Sequence, residues 1–576
     1  MKAIFNHALP GLAKAMAVFF LLVFFLGAAA AQHPPRLPDT LKKQIDEVFL
    51  AWDTTWTPGV AVAVVKDGGI AYSNAYGYAH LEYDIPNTPT TIFHIASISK
   101  QFTTFSILLL EAEGKLSLDD EIQQYIPELP YFNYPVTLRH MAHNVSGLRD
   151  QWNLLGMAGW RLDDVITTQQ VLRLLSRQKE LNFKPGAEYL YSNSGFTLLA
   201  EVVARVSGQS FADFTQERIF EPLGMQNTLF YDDHEKIVKN RAYSYAGRDG
   251  NYRKRVLSYA TVGATSLFTT VEDLGLWAMN FENPVVGDQG IIEKINTRGV
   301  LNDDTTISYA LGQTVGEYRG LPMISHGGAD AGYRTFLARF PEQGVAIVVF
   351  SNDAGFSSNA MAMRVVDIVL ADFLDEKPEE HAPTREFVKV DPRVLASYEG
   401  HFLHQPDNHI IFKTAQDTLF FRTSASSRLV PLFALSDREF VTEGGETRFR
   451  FPDPENGEVN MVNMHRNDET IRMPRVEAFD PAGVDLSILA GTYYSEELDI
   501  TWLLDVTEDS DGQPQLVARH VRIGDITLNP LTPDYFSGNM WYASRLRFER
   551  DGIGRITGFR VSAGRVRDLL FERHVR

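Results

Sequence analysis

The chain has 576 residues, of which 44% are hydrophobic and 22% charged, with a formal net charge of −19. That content of apolar residues excludes a chain disordered throughout, and the acidic balance argues against a nucleic-acid partner, whose phosphates need a basic face. It has no cysteine, which excludes disulfide scaffolds, thiolate metal sites and a cysteine nucleophile.

The N-terminal stretch carries Lys2 and Lys14 as its only charges, then an apolar run to Ala31 ending in AAAA before Gln32. The run is shorter than the ~20 residues of a comfortable membrane span. It reads as a secretory signal peptide over residues 1–31, cleaved near Ala31, which places the chain outside the cytoplasm, secreted or periplasmic. An uncleaved N-terminal anchor is the alternative, and the sole route to a membrane.

The run GVAVAVVK (59–66), the turn Asp67-Gly68-Gly69 and the segment Ile70–Tyr78 predict a hairpin. Helical patterns follow over 99–113, 168–180, 194–206 and 210–219. A second hairpin is expected over Tyr333–Phe340 and Val345–Ser351, then a helix over Ser358–Leu374. Strands from both ends of the unit, with helices between, predict a mixed α/β (α+β) domain over 32–374. Its sheet should be largely antiparallel, with an inserted helical region.

Residues 375–390 are rich in Pro and charge and read as a linker. Beyond them short alternating strands replace helical periodicity. Asp391-Pro-Arg-Val-Leu-Ala-Ser-Tyr-Glu-Gly aligns by eye with Asp485-Leu-Ser-Ile-Leu-Ala-Gly, and TRFRFPDPENGEV (447–459) with SRLRFERDGIGRI (544–556). This internal repeat predicts two small antiparallel β-barrels, over 391–479 and 480–576. One larger β domain is the alternative. The barrel strands are charged and short, so filled interiors are expected rather than ligand cavities.

Three motifs bear on chemistry. Ser97-Ile98-Ser99-Lys100 is an S-x-x-K pattern. If Ser97 opens a helix, Lys100 lies one turn on and faces the same side, where its amine can take the serine proton. Ser176-Arg177-Gln178-Lys179 also fits the pattern but sits inside an amphipathic helical stretch. Tyr191-Ser192-Asn193 is a Y-x-N triplet before helix 194–206; Tyr131-Phe132-Asn133 competes with it from a Pro-flanked loop. His326-Gly327-Gly328 is an H-x-G element at the second hairpin, where small residues let a substrate backbone approach. Asn144-Val145-Ser146 is formally a glycosylation sequon and reads as a chance match.

With these residues the chain resembles the serine β-lactamase and penicillin-binding-protein superfamily, in the branch of class C β-lactamases, DD-peptidases, esterases and D-aminopeptidases. The resemblance covers about residues 40–375 and rests on FHIASISKQFT (93–103), GKLSLDDEIQQYIPEL (114–129), VTLRHMAHNVSGL (136–148), KPGAEYLYSNSGFTLLAEVV (184–203) and HGGADAGYRTFLARFPEQGVAIVVFSN (326–352). The C-terminal pair is similar to the lipocalin-like barrels of D-aminopeptidase-type members. The resemblance implies Ser97 as acyl-accepting nucleophile, with Lys100 and Tyr191 sharing the base and acid work. Asn193 would contact the substrate amide, His326, Gly327 and Gly328 would line the substrate strand, and the amides of Ser97 and Ala329 would form the oxyanion hole. It implies no metal or organic cofactor.

Many relatives carry K-[ST]-G where this chain has His326-Gly327-Gly328. A permanent cation for a substrate carboxylate is then missing, which favours small peptides, amides, esters or N-terminal D-amino acid substrates over β-lactams. The readings kept open are a β-lactamase or penicillin-binding carboxypeptidase, a non-catalytic peptidoglycan-binding protein, and a carrier built on the barrels. A loop of the second barrel is expected to narrow the cleft. The oligomeric state, including a homo-oligomer, stays open.

Overall fold

The computed structural model describes residues 36–574 apart from 54–55, 377–386, 406–407, 425, 427, 444, 446, 454–457, 467–468 and 521. The expected leader over 1–31 and most of the expected linker lie outside the described residues.

The strands Val60–Lys66 and Val345–Ser351, far apart in sequence, lie side by side, with Val60 opposite Ser351 and Val64 opposite Ile347. They are interior strands of a six-stranded sheet that runs, in order, Thr314–Tyr318, Leu321–Asp330, Tyr333–Phe340, Val345–Ser351, Val60–Lys66 and Gly69–Tyr76. Every pairing is antiparallel. Successive side chains of a strand point to opposite faces. Val60, Val62 and Val64 accordingly meet the helices Asp39–Phe49 and Ser358–Val369 on one face. Ala61, Ala63 and Val65 meet the helical region on the other. Because both faces are covered, the strand reads as one unbroken apolar run.

The helical region is built on helix Ser99–Ala112, buried along nearly its whole length, which packs against helix Asn193–Ser207. The helix expected over 168–180 stops at Leu175. Its last turn is diverted: Lys179 N donates to Glu497 Oε2 at 2.8 Å, and Gln178 Nε2 donates to the Glu497 carbonyl at 3.4 Å. Tertiary contact overrides the local periodicity there. The helix expected to 374 ends at Val369, and the strand Leu321–Asp330 was not foreseen. The H-x-G element lies inside this strand rather than in a turn leading to the next one.

The C-terminal third consists of two closed barrels of eight antiparallel strands, Gly400–Val476 and Gly491–His574. The internal repeat is physical. Arg475 in the last strand of the first barrel donates to the carbonyls of Ser397 and Glu399, just before the opening strand. Arg573 does the same with Ile488 and Ala490 in the second. Aromatic rings fill both interiors: Phe402, Phe412 and Phe451 in the first, Trp502, Phe559 and Phe571 in the second.

The barrels differ in attachment. The first has a core of its own. The second shares one continuous core with the α/β domain. Trp502 Nε1 donates to the Met157 carbonyl at 3.2 Å. The His520 ring lies so close to Gly159 that a Cβ there would stand 1.8 Å from its Cε1, in a backbone with φ +82°. Arg149 and Glu497, with side chains 1% and 5% exposed, form an ion pair at 2.5 Å across the junction.

Removing one member of a buried ion pair leaves the other charge unanswered and costs ~3–5 kcal/mol. Arg149→Met should therefore lower the unfolding free energy by that order, read as a lower urea midpoint, and Arg149→Met with Glu497→Leu should recover most of it. An Arg149→Met midpoint equal to wild type would mean that the pair does not hold the barrel.

Candidate active site

Ser97 sits at a strained corner. Strand Phe93–His94 leads into a single helical turn, Ala96–Ile98, continuous with helix Ser99–Ala112. Ala96 has φ 50°, a left-handed value that costs a non-glycine residue ~1–3 kcal/mol. Neighbours hold the strain in place. Ser99 Oγ donates to the Ala96 carbonyl at 2.5 Å and accepts from Leu267 N at 3.2 Å. Thr335 Oγ1 donates to the Ile95 carbonyl at 2.9 Å. The corner lifts Ser97 into the cleft while Lys100, three residues on, stays buried.

The strand Thr314–Tyr318 pairs with Leu321–Ser325, so the outer edge of His326–Asp330 is left to the Ser97 corner. Gly328 is required there: a Cβ would lie 2.3 Å from the Ile95 carbonyl oxygen and 2.2 Å from Thr335 Oγ1. The backbone of Gly327, Gly328 and Ala329 thereby lines the same cleft as Ser97.

The Lys100 amine has three hydrogen-bond partners: Ser97 Oγ at 3.1 Å, Asn193 Oδ1 at 2.8 Å and the Ala264 carbonyl at 2.7 Å. All three are neutral. Burial pushes its pKa down from the ordinary lysine range to about 7; Asp150 and Asp330 oppose the shift and Arg565 assists it. A neutral amine has two N–H groups and one lone pair. With Asn193 and Ala264 taking the two hydrogens, the lone pair is aimed at Ser97.

Asn193 is held in turn. Its backbone N and its Nδ2 both donate to Asp150 Oδ2 at 2.8 Å. Asp150 caps helix Gln151–Met157 through Oδ1 and Trp152 N. Asn144 Oδ1 accepts from Ser192 N at 2.9 Å, fixing the same turn. Asn144 is buried and has φ 60°.

Tyr191 completes the group. Its ring lies 4.8 Å from Lys100 Nζ, and its hydroxyl stands beside Ser97 without a well-formed hydrogen bond. Burial drives the phenol pKa well above the ordinary tyrosine value. His326 accepts from or donates to Tyr309 Oη through Nε2 at 3.2 Å, and its Nδ1 meets the Gly327 carbonyl at 2.7 Å. The latter contact assigns the proton to Nδ1, so Nε2 accepts. Burial, with the nearby Lys100 charge, depresses its pKa to about 4, so the ring is neutral at pH 7.

All the expected residues, Ser97, Lys100, Tyr191, Asn193, His326, Gly327, Gly328 and Ala329, therefore gather at one cleft of ≈ 860 Å³, whose lining includes all of them but Lys100, buried beneath it. The rival matches stay outside. Ser176 caps the end of helix Thr168–Leu175, and Tyr131 is exposed away from the cleft. The cleft also holds residues that sequence reasoning did not select: Asp330, Arg334 and, from the second barrel, Trp541 and Arg565. Permanent cations are thus present, contrary to the expectation drawn from His326, but on other elements. Arg334 is turned toward the carbonyls of Ala331 and Tyr333, and Arg565 toward Asp150. Among the described residues no group of three or more His, Cys, Asp or Glu is placed to hold a metal.

A sequence model of the family described as Beta-lactamase matches residues 45–370. The chain belongs to the beta-lactamase family. It is a serine hydrolase of that family. A D-aminopeptidase of Gluconobacter oxydans (strain 621H) is 26% identical over 534 residues, 90% of this chain and 96% of its own length. A D-aminopeptidase of Brucella melitensis biotype 2 is 25% identical over 527 residues, again 90% of this chain and 96% of its own. Among solved structures, the octameric penicillin-binding protein homologue from Pyrococcus abyssi matches with TM-score 0.54 and 25% identity, covering 76% of this chain and 99% of its own.

Lys100, with a pKa lowered to about 7, is placed to take the Ser97 proton. Labelling of Ser97 by a fluorophosphonate should rise with pH through about 7 and then level off. A rate that is flat between about pH 5 and 9 would show that Lys100 does not govern Ser97.

Proposed function

We propose that the enzyme works through an acyl-enzyme on Ser97 and removes N-terminal D-residues from small peptides, amides or esters. The observation that carries the mechanism is the Lys100 amine, held by two neutral acceptors with its third position on Ser97 Oγ. Lys100, its pKa lowered by burial to about 7, takes the serine proton in its neutral form as Oγ attacks the substrate carbonyl. The phenol of Tyr191 binds its proton too tightly to start as a base. Its place beside Ser97 suits it to relay the proton from Lys100 to the departing amine. Backbone N–H groups of Ser97 and Ala329 offer the oxyanion its donors. Asn193 Nδ2 is held by Asp150, so this side chain orients Lys100 first and reaches the substrate amide only at the edge of the cleft. Water then attacks the ester with Lys100 again as base.

The D-aminopeptidase reading is supported by relatives that align along 90% of this chain, barrels included. A neutral His326 supports it too, since the third motif offers no charge to a carboxylate. Trp541 and Arg565 on the cleft wall support the expectation that the second barrel limits substrate size. A non-catalytic binding role is disfavoured by the intact Ser97, Lys100 and Tyr191. We further propose export through the N-terminal leader. Self-association, the state named for the Pyrococcus homologue, is a proposal for light scattering to test.

The test pairs D- and L-aminoacyl amides with a penicillin, followed by intact mass. The reading predicts turnover of the D-amides, loss of turnover by ~10³-fold or more in Ser97→Ala, and no lasting penicillin adduct. Persistent penicilloylation of Ser97 would move the protein to the penicillin-binding carboxypeptidases. Consumption of the drug would make it a β-lactamase.

A further inference from the structure

The catalytic group draws on a charge from outside its own domain. The turn between the strands Ile556–Ala563 and Val566–His574 of the second barrel brings Arg565 to the cleft that holds Ser97. Its guanidinium lies 3.6 Å from Asp150 Oδ2 and 4.8 Å from the centre of the Tyr191 ring. Asp150 is 1% exposed and uses the same oxygen to accept both N–H groups of Asn193. Asn193 Oδ1 accepts from Lys100, and Lys100 reaches Ser97. A continuous chain of polar contacts thus runs from the barrel to the nucleophile.

We propose that Arg565 is a positioning residue for the Lys100 amine, acting through Asp150 and Asn193, so that the docked second barrel completes the catalytic machinery. The proposal rests on the reading of Ser97 as nucleophile and Lys100 as its base. The physical need is plain. A buried carboxylate two links away favours the ammonium form of Lys100, which cannot take a proton. Arg565 answers that carboxylate with its guanidinium, and repels the ammonium form of Lys100 directly. The other groups facing Lys100 do not replace it. Asp330 acts in the sense of Asp150, while His326 and Tyr191 are neutral at pH 7.

The position of the turn does not depend on the side chain. The Arg565 carbonyl accepts from Asn182 Nδ2 at 2.9 Å and from Asp150 N at 3.3 Å, and Arg567 N donates to Asn182 Oδ1 at 2.8 Å. A substitution at 565 should therefore leave the barrel docked and the active-site charges changed. This is what separates a role in the chemistry from one in docking, which belongs to Arg149 and Glu497.

The experiment measures kcat/KM against pH on an aminoacyl amide for full-length wild type, Arg565→Met, Arg565→Lys and Asp150→Asn, with fluorophosphonate labelling alongside. Arg565→Met should move the acid limb about one pH unit upward and lose ~5-fold at pH 7, with activity largely regained near pH 9. Arg565→Lys should restore most of the wild-type limb, and Asp150→Asn should move it in the opposite direction. An unmoved limb in a folded Arg565→Met protein overturns the proposal, whether activity is unchanged or lower at every pH. So does a rise confined to KM for carboxylate-bearing substrates, which would make Arg565 a substrate-binding group. If Ser97→Ala keeps wild-type activity and labelling, the nucleophile reading itself has failed; an inert Ser97→Ala beside an unmoved limb overturns this inference alone.

Discussion

Everything in the cleft depends on burying one amine without giving it a carboxylate to touch. An ammonium ion removed from water needs a direct countercharge, and the Lys100 amine is met instead by a hydroxyl, an amide oxygen and a backbone carbonyl. That choice of partners makes the neutral form competitive at physiological pH. A carboxylate in place of Asn193 would have held the proton on Lys100. The carboxylates that do act on it, Asp150 and Asp330, make no direct contact with the amine, and Asp150 is set one residue further back behind Asn193.

The scaffold serves this arrangement at both ends. The sheet leaves the edge of His326–Asp330 open where the strained Ala96 corner presents Ser97, and Ser99 and Thr335 hold that corner closed. The second barrel packs its core into the catalytic domain and clamps two consecutive residues, Arg149 through Glu497 and Asp150 through Arg565. Docking and electrostatics are thereby joined at one point of the chain. Among the described residues, the first barrel, with a separate core, takes no part in the cleft lining.

Much of this was legible in the sequence, because its signals are local. Ser97 and Lys100 are three residues apart on one helix, Tyr191 and Asn193 flank one residue, and the central strands announce themselves as apolar runs. The two barrels are visible in the alternation and in the repeat. What was not legible is what depends on distant partners. Leu321–Asp330 hides as a strand because His326, Gly327, Gly328 and Asp330 have little β propensity; the pairing with Tyr333–Phe340 makes it one. The helix ending at Leu175 is stopped by Glu497, over three hundred residues away. Asp150 carried a faint signal, an acidic residue before the helical QWNLL, which marks a cap and says nothing of Asn193. Arg565 carried none: its place beside Asp150 exists only once the second barrel has docked. The missing cation inferred from His326 shows the same limit, since a motif reports on one strand and a cleft is built from several.

The central claim is that Lys100 is neutral at a pH where ordinary lysines are charged. The most direct measurement is an NMR titration of the full chain carrying lysine labelled with ¹³C at Cε and ¹⁵N at Nζ, with Lys100→Arg identifying the signal. The account predicts one lysine titrating near 7, absent from the Lys100→Arg spectrum. A Lys100 signal that stays protonated up to the ordinary lysine range near ~10.4 would contradict it.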